Sequence, residues 1–108
     1  VKTVYVAGPL IGDFAGNTAR AIEVADELLD GGVAPFVPHL AIHWHAVHEH
    51  HYEDWMAYDF AWILKCDALV RMPGKSPGAD REVEFARKHG IPVFFGINEC
   101  LAWARNTP

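Results

Sequence analysis

Positive charge is scarce in this chain. Nine Lys and Arg residues stand against fourteen Asp and Glu in 108 residues, a formal net charge of -5 at pH 7. That sign repels polyanions and argues against a nucleic-acid polymer as partner. A single nucleotide stays open, because a few local donors suffice for one phosphate. Long hydrophobic runs are absent as well. No apolar stretch approaches the ~20 residues that cross a bilayer, so neither a span nor a membrane partner is expected. Cysteine occurs only at Cys66 and Cys100, far apart and in apolar segments. Two such thiols form neither a disulfide framework nor a CxxC metal pair; they fit a reducing compartment, and a cytoplasmic location is expected. Val1 leads directly into an apolar strand pattern, with no sign of a signal peptide. Low-complexity tracts, internal repeats and linkers are also missing.

What is present is a globular composition. Hydrophobic residues make up 51% and charged residues 21%, which excludes disorder. The length fits one domain, residues 1–108, able to bury about two-thirds of the surface its unfolded chain exposes. Val4, Tyr5, Val6 and Ala7 form a continuous apolar run closed by Gly8-Pro9, the pattern of a strand covered on both faces in a parallel sheet. Gly12 to Gly16 reads as loop with Asn17 as N-cap, followed by a helix from Thr18 to Leu29 in which Ala21, Val24, Ala25 and Leu28 share a face. Gly31-Gly32 ends that helix. Val33 to Val37 reads as a second strand, Tyr52 to Lys65 as a second helix, and Asp67 to Met72 as a third strand. Ser76-Pro77 opens a third helix through Lys88, with Ser at N-cap and Pro at N1. Ile91 to Phe95 is then a fourth strand and Asn98 to Arg105 a short closing helix. This alternation predicts a three-layer α/β domain: a short parallel sheet with right-handed crossovers and helices on both faces. Ligands of such sheets bind beyond the carboxyl ends of the strands, so Gly8 to Asn17, His39 to His51 and Pro73 to Glu82 converge on one rim.

Several residues on that rim can do chemistry. Ser76-Pro77-Gly78 enters a helix, where free backbone N–H groups and the positive end of the helix dipole make an anion site. Gly78 permits close backbone approach, and Glu82 lies within about two turns of that end. The plainer reading is that Ser76 only caps the helix while Arg81 and Glu82 are solvated. Asp59 sits among Phe60, Trp62 and Ile63, a setting that raises a carboxyl pKa. Asp67 reads as an anchor of the helix–strand turn.

In order along the chain, Tyr5-Val6-Ala7-Gly8-Pro9, Asp59 with Asp67, Ser76-x-Gly78-x-x-x-Glu82-x-x-x-Ala86 and Gly90-Ile91-Pro92-Val93 resemble the nucleoside 2-deoxyribosyltransferase superfamily, especially its small branch similar to nucleoside 5'-monophosphate N-glycosidases. The resemblance implies a flavodoxin-like or Rossmann-like sheet and cleavage of an N-glycosidic bond, without cofactor or metal. It makes Glu82 the nucleophile at the anomeric carbon, Asp59 the group that protonates or hydrogen-bonds the departing base, and Tyr5 the residue that orients Glu82. Such chemistry needs a carboxylate below C1′ and an acid near the leaving group. By the same resemblance a serine at position 76 marks members that act on 5′-monophosphates, where a carboxylate would repel phosphate. Gly8, Pro9, Gly12 and Asn17 of the first loop would complete the contacts to a nucleoside or nucleotide.

The segment holding His39, His43, His45, His48, His50 and His51 has two readings. Pairs such as His39/His43 or His48/His51 are spaced for one helical face, compatible with zinc and with a zinc-dependent hydrolase. Yet His48-Glu49-His50-His51-Tyr52 is not HExxH, since Tyr52 stands where the second ligand falls. The reading carried forward is a loop flanking the nucleotide pocket, with His43 and Trp44 as substrate contacts. Trp44, Tyr52 and Trp55 are candidates to stack on a base, although for Trp55 core packing is the stronger reading. A pocket that holds a nucleotide without cutting it is the other alternative. Aromatic surface around Trp44, Trp55 and Trp62 predicts a homodimer or higher homo-oligomer.

Overall fold

The apolar run that starts the chain becomes the middle of a sheet. In a computed structural model describing residues 1–108, β1 (Thr3–Ala7) pairs in parallel with β2 (Ala34–Phe36) on one side and β3 (Ala68–Arg71) on the other. β4 (Val93–Phe94) pairs with β3, giving the all-parallel order β2-β1-β3-β4. Around the sheet lie α1 (Phe14–Asp30), a 3-10 turn (Pro38–Leu40), α2 (Ala41–Val47), α3 (Tyr52–Ile63), α4 (Pro77–Lys88) and α5 (Ile97–Asn106). This is the parallel α/β sheet that the strand–helix alternation predicts, in the flavodoxin-like form that the resemblance implies. Pro35 is tolerated in β2 because that strand is an edge. No helix is long and apolar enough to cross a membrane.

Side chains alternate along β1 and so divide the core in two. Val4 and Val6 pack with Leu28 of α1, Val70 and Cys100 of α5. Tyr5 and Ala7 face the other layer, against Ile63 of α3 and Ala79, Val83 and Ala86 of α4. That alternation puts the one hydroxyl of β1's buried run on the α3–α4 side, where the site forms. Asp67, read from the sequence as an anchor of the helix–strand turn, bonds across to the start of β1: its Oδ2 accepts from the Thr3 backbone N–H at 2.8 Å and the Thr3 hydroxyl at 3.2 Å.

Two expectations are corrected. α1 begins a turn before Thr18, because Asp13 and not Asn17 is its N-cap: the Asp13 carboxylate accepts from the Gly16 N–H at 3.0 Å. Gly16, read as loop, is what the cap requires, since a Cβ there would lie 2.1 Å from Asp13 Oδ2. Asn17 is inside the helix, and its amide donates to the Leu10 carbonyl at 3.0 Å, fixing the loop that follows β1. The segment from His39 to His51 is also not one loop. Its first half is the 3-10 turn and α2, and only His48 to His51 is extended. Ala41 and Ala46 favour that helix between the histidines.

Candidate active site

The carboxyl ends of β1 and β3 open into a cleft of about 770 Å³, within the range that holds small ligands. The first loop gives it Gly8, Pro9, Leu10 and Ile11; the turn before α4 gives Lys75, Ser76 and Gly78. α3 contributes Tyr52, Trp55, Met56 and Asp59, and the 3-10 turn, α2 and their following strap contribute His39, His45, Glu49, His50 and His51. The three rim segments thus meet as the topology requires.

At the floor is a buried acidic cluster. Glu82 is only 6% exposed, and the fully buried Tyr5 hydroxyl donates to its Oε2. The partners are 77 positions apart in sequence. Asp59, half-buried on α3, is close enough to perturb both. Burial pushes the Glu82 carboxyl well above the usual carboxylate range; the Tyr5 hydrogen bond and the Arg71 guanidinium oppose this, while the Asp59 charge adds to it. Asp59 is raised too, again by burial first. Two desolvated carboxyls this close retain one proton between them through neutral pH. The Tyr5 phenol is raised by burial and by the Glu82 charge, so it keeps its proton and remains a donor.

Arg71 supports this floor from below. It ends β3 opposite Ala7, is 7% exposed, and donates to the carbonyls of Met72 and Gly74 (3.0 Å to the latter) and to Asp80 at 2.9 Å. It therefore ties the β3–α4 turn to the first turn of α4. There Ser76 is the N-cap, its Oγ accepting from the Ala79 N–H at 3.1 Å. Capping uses one lone pair and leaves the hydroxyl hydrogen free to donate. Gly78 also sits close under Tyr52: a Cβ would stand 2.9 Å from the Tyr52 hydroxyl. Arg81 is not simply solvated, since it forks onto Glu53 with two contacts of 2.9 Å and lies over the Tyr52 ring.

Of the residues read as site candidates, Glu82, Asp59, Gly8, Pro9, Ser76 and Gly78 line the cleft, with Tyr5 directly beneath Glu82. Gly12, Asn17, His43 and Trp44 do not line it. His43 is exposed on α2, and Trp44 turns to the aromatic cluster behind the wall, with Trp55 and Tyr58 at 5.2 and 5.6 Å. His39 and His45, read only as part of the histidine segment flanking the pocket, line the cleft as well, and Lys75 lines it without having been singled out. Lys75 was legible in principle as a cation beside Ser76 at a helix start. His39 is buried, with Nε2 bonded to the Pro9 carbonyl at 3.1 Å, and burial lowers its pKa. No three His, Cys, Asp or Glu side chains converge to form a metal-ligand group, so the zinc reading lacks a ligand set.

The family described as "Domain of unknown function (DUF7768)" matches residues 2–96. No curated protein matches the chain. Among solved structures it is similar to a 2-deoxyribosyltransferase from Leishmania mexicana, with a TM-score of 0.64 and 22% identity over 86% of this chain and 62% of that one. A conserved protein from Enterococcus faecalis V583 gives a TM-score of 0.68 at 19% identity, over 86% of this chain and 61% of that one. A 2-deoxyribosyltransferase from the psychrotolerant bacterium Bacillus psychrosaccharolyticus gives 0.58 at 20% identity, over 84% and 69%. The chain thus spans little more than three-fifths of the first two, and these likenesses establish the fold.

Proposed function

The chain belongs to the DUF7768 family, and from its cleft we propose that it cleaves or transfers the N-glycosidic bond of a nucleoside or (2′-deoxy)nucleoside 5′-monophosphate. The observation that carries this reading is the buried Tyr5–Glu82–Asp59 cluster on the floor of a cleft whose rim is a helix N-terminus. The 2-deoxyribosyltransferases of the same fold support it. A Glu82 carboxylate oxygen attacks C1′, the C1′–N bond breaks, and its electron pair leaves with the base, which takes a proton from Asp59. The glycosyl ester on Glu82 is then released by water or by a second base, with Asp59 accepting the proton. Of the two ways to share the cluster's proton, the reactive one has the charge on Glu82; Arg71 favours it, the Tyr5 hydroxyl lowers both carboxyls, and the deeper burial of Glu82 opposes it. The free Ser76 hydroxyl, the α4 N-terminus and Lys75 receive the 5′-phosphate, and Trp55 receives the base. We further propose a cytoplasmic protein that self-associates over exposed Trp44 and Trp62.

The test is incubation with a panel of nucleosides and 5′-monophosphates, reading released base by chromatography. Release from at least one compound is expected. Binding without release would assign the cleft to a non-catalytic nucleotide-binding module.

Ser76→Ala should cost about 1 kcal/mol of stability as a lost N-cap. It should also weaken 5′-monophosphates against nucleosides by about 1.5–3 kcal/mol, one charge-assisted hydrogen bond. Equal weakening of both classes in KM measurements would remove Ser76 from the phosphate site.

The rate should also depend on pH in a defined sense. The reactive pair carries one proton, with the charge on Glu82. The acid limb of kcat/KM therefore reports the pair's first ionisation, and burial of both carboxyls puts it above the ordinary carboxylate value of ~4. Tyr5→Phe removes a donor that favours the charged form, so the limb should move higher still. A limb at the ordinary value, unmoved by Tyr5→Phe, would contradict the assignment.

A further inference from the structure

The cleft wall formed by α2 and α3 is held at one atom. His45 Nδ1 accepts from the Trp55 indole N–H at 2.8 Å and from the His50 main-chain N–H at 3.3 Å. A ring nitrogen that accepts hydrogen bonds carries no proton, so the His45 proton is on Nε2. The two donors belong to separate parts of the wall: Trp55 to α3, and His50 to the strap His48–His51 that joins α2 to α3. Glu49, His50, His51 and Trp55 all line the cleft. The Trp55 ring meets Trp44, His50 and Tyr58 near-perpendicularly, at 5.2, 5.4 and 5.6 Å. No ring lies parallel on it, unlike Phe36 on Trp62 or Phe60 on Phe85. The indole's orientation therefore depends on its polar edge as well as on packing.

We propose that His45 is a positioning residue whose unprotonated Nδ1 fixes the Trp55 indole and the His48–His51 strap together, so that one proton on His45 releases this wall of the cleft. Protonation turns the shared acceptor into a donor facing two donors, and both bonds are lost in one event. The titratable groups that line the cleft with it are His39 of the 3-10 turn, Glu49, His50 and His51 of the strap, Tyr52 and Asp59 of α3, and Lys75 and Glu82 at α4. None of their side chains hydrogen-bonds the His45 ring; only Trp55 and the His50 main chain do. The consequence for catalysis rests on the nucleotide reading above, whereas the structural statement does not.

The test uses the ligand-free chain and the ¹H–¹⁵N signals of its four indoles, with Trp55 assigned from Trp55→Phe. As pH falls through the roughly pH 8–5 range in which imidazoles titrate, the Trp55 indole signal should shift, and its protection from exchange, taken against the intrinsic rate at each pH, should fall about tenfold or more. The Trp62 and Trp103 signals should stay, showing that the fold persists. In His45→Gln, whose amide oxygen accepts at every pH, the Trp55 step should vanish. A wild-type Trp55 signal without a step, or the same step in His45→Gln, overturns the proposal. With any substrate the panel identifies, His45→Ala should raise KM about tenfold with kcat changed less, and His45→Gln should restore it. An empty panel would remove the catalytic reading and leave the indole result standing.

Discussion

Glu82→Gln is expected to abolish release of base from any compound the protein cleaves, because removing a nucleophile costs several orders of magnitude in rate. Loss of the fold will not be the cause. The amide keeps the shape of the side chain, and its oxygen can still accept from Tyr5. The pKa direction makes this checkable. Glu82 is raised in the folded state, so its contribution to stability is complete below its unfolded pKa and is lost as pH rises through the folded value. Glutamine has nothing to ionise. The variant should therefore match wild type in acid and gain on it towards neutral and alkaline pH, read from denaturant midpoints. Nucleotide binding should survive, since the phosphate contacts proposed at Ser76 lie two turns away at the helix start. Wild-type turnover in Glu82→Gln would show that the cluster is structural.

Arg71→Met should be the most damaging change outside the reacting groups. It deletes a buried guanidinium that satisfies the Met72 and Gly74 carbonyls and holds Asp80 at the first turn of α4. Hydrogen bonds from charged donors and the stranded carbonyls together put the cost at about 2–4 kcal/mol, measured by urea unfolding. Asp80 is largely exposed, so its charge returns to water and adds little. Arg71→Lys should rescue only in part, because one ammonium cannot span the three acceptors of a fork. Both variants should also move the acid limb of the rate upward, since a cation that favours ionised Glu82 is lost or displaced. A cost below 1 kcal/mol for Arg71→Met, or an unmoved limb, would mean that Arg71 neither holds the α4 turn nor acts on Glu82.

The sheet was legible because its strands are short apolar runs separated by helices with plain stop signals at Gly31-Gly32 and Gly90. The alternation made that sheet parallel, while its order, β2-β1-β3-β4, was not read from the sequence. The start of α1 was not legible, because Asp13 and Asn17 are both competent caps and only geometry chooses between them. α2 was hidden by its histidines, which have no strong helical preference and drew attention to metal chemistry. For the site, Tyr5, Asp59 and Glu82 came from a family resemblance; no local spacing joins residues 77 positions apart. Arg71 left a trace that could have been read, as the one charged residue in the buried run Ala68-Leu69-Val70-Arg71. The His45–Trp55 bond left none. It depends on how a helix of seven residues turns against α3, and no pattern of residue types encodes that rotation.

The proposed mechanism turns on a covalent bond between Glu82 and the sugar. Quenching the protein with a cleaved substrate during turnover and measuring its intact mass reads that bond. A species heavier by one glycosyl group is expected, mapped to the peptide that contains Glu82 and absent in Glu82→Gln. Release of base with no such adduct, at a rate Glu82→Gln leaves unchanged, would rule the bond out.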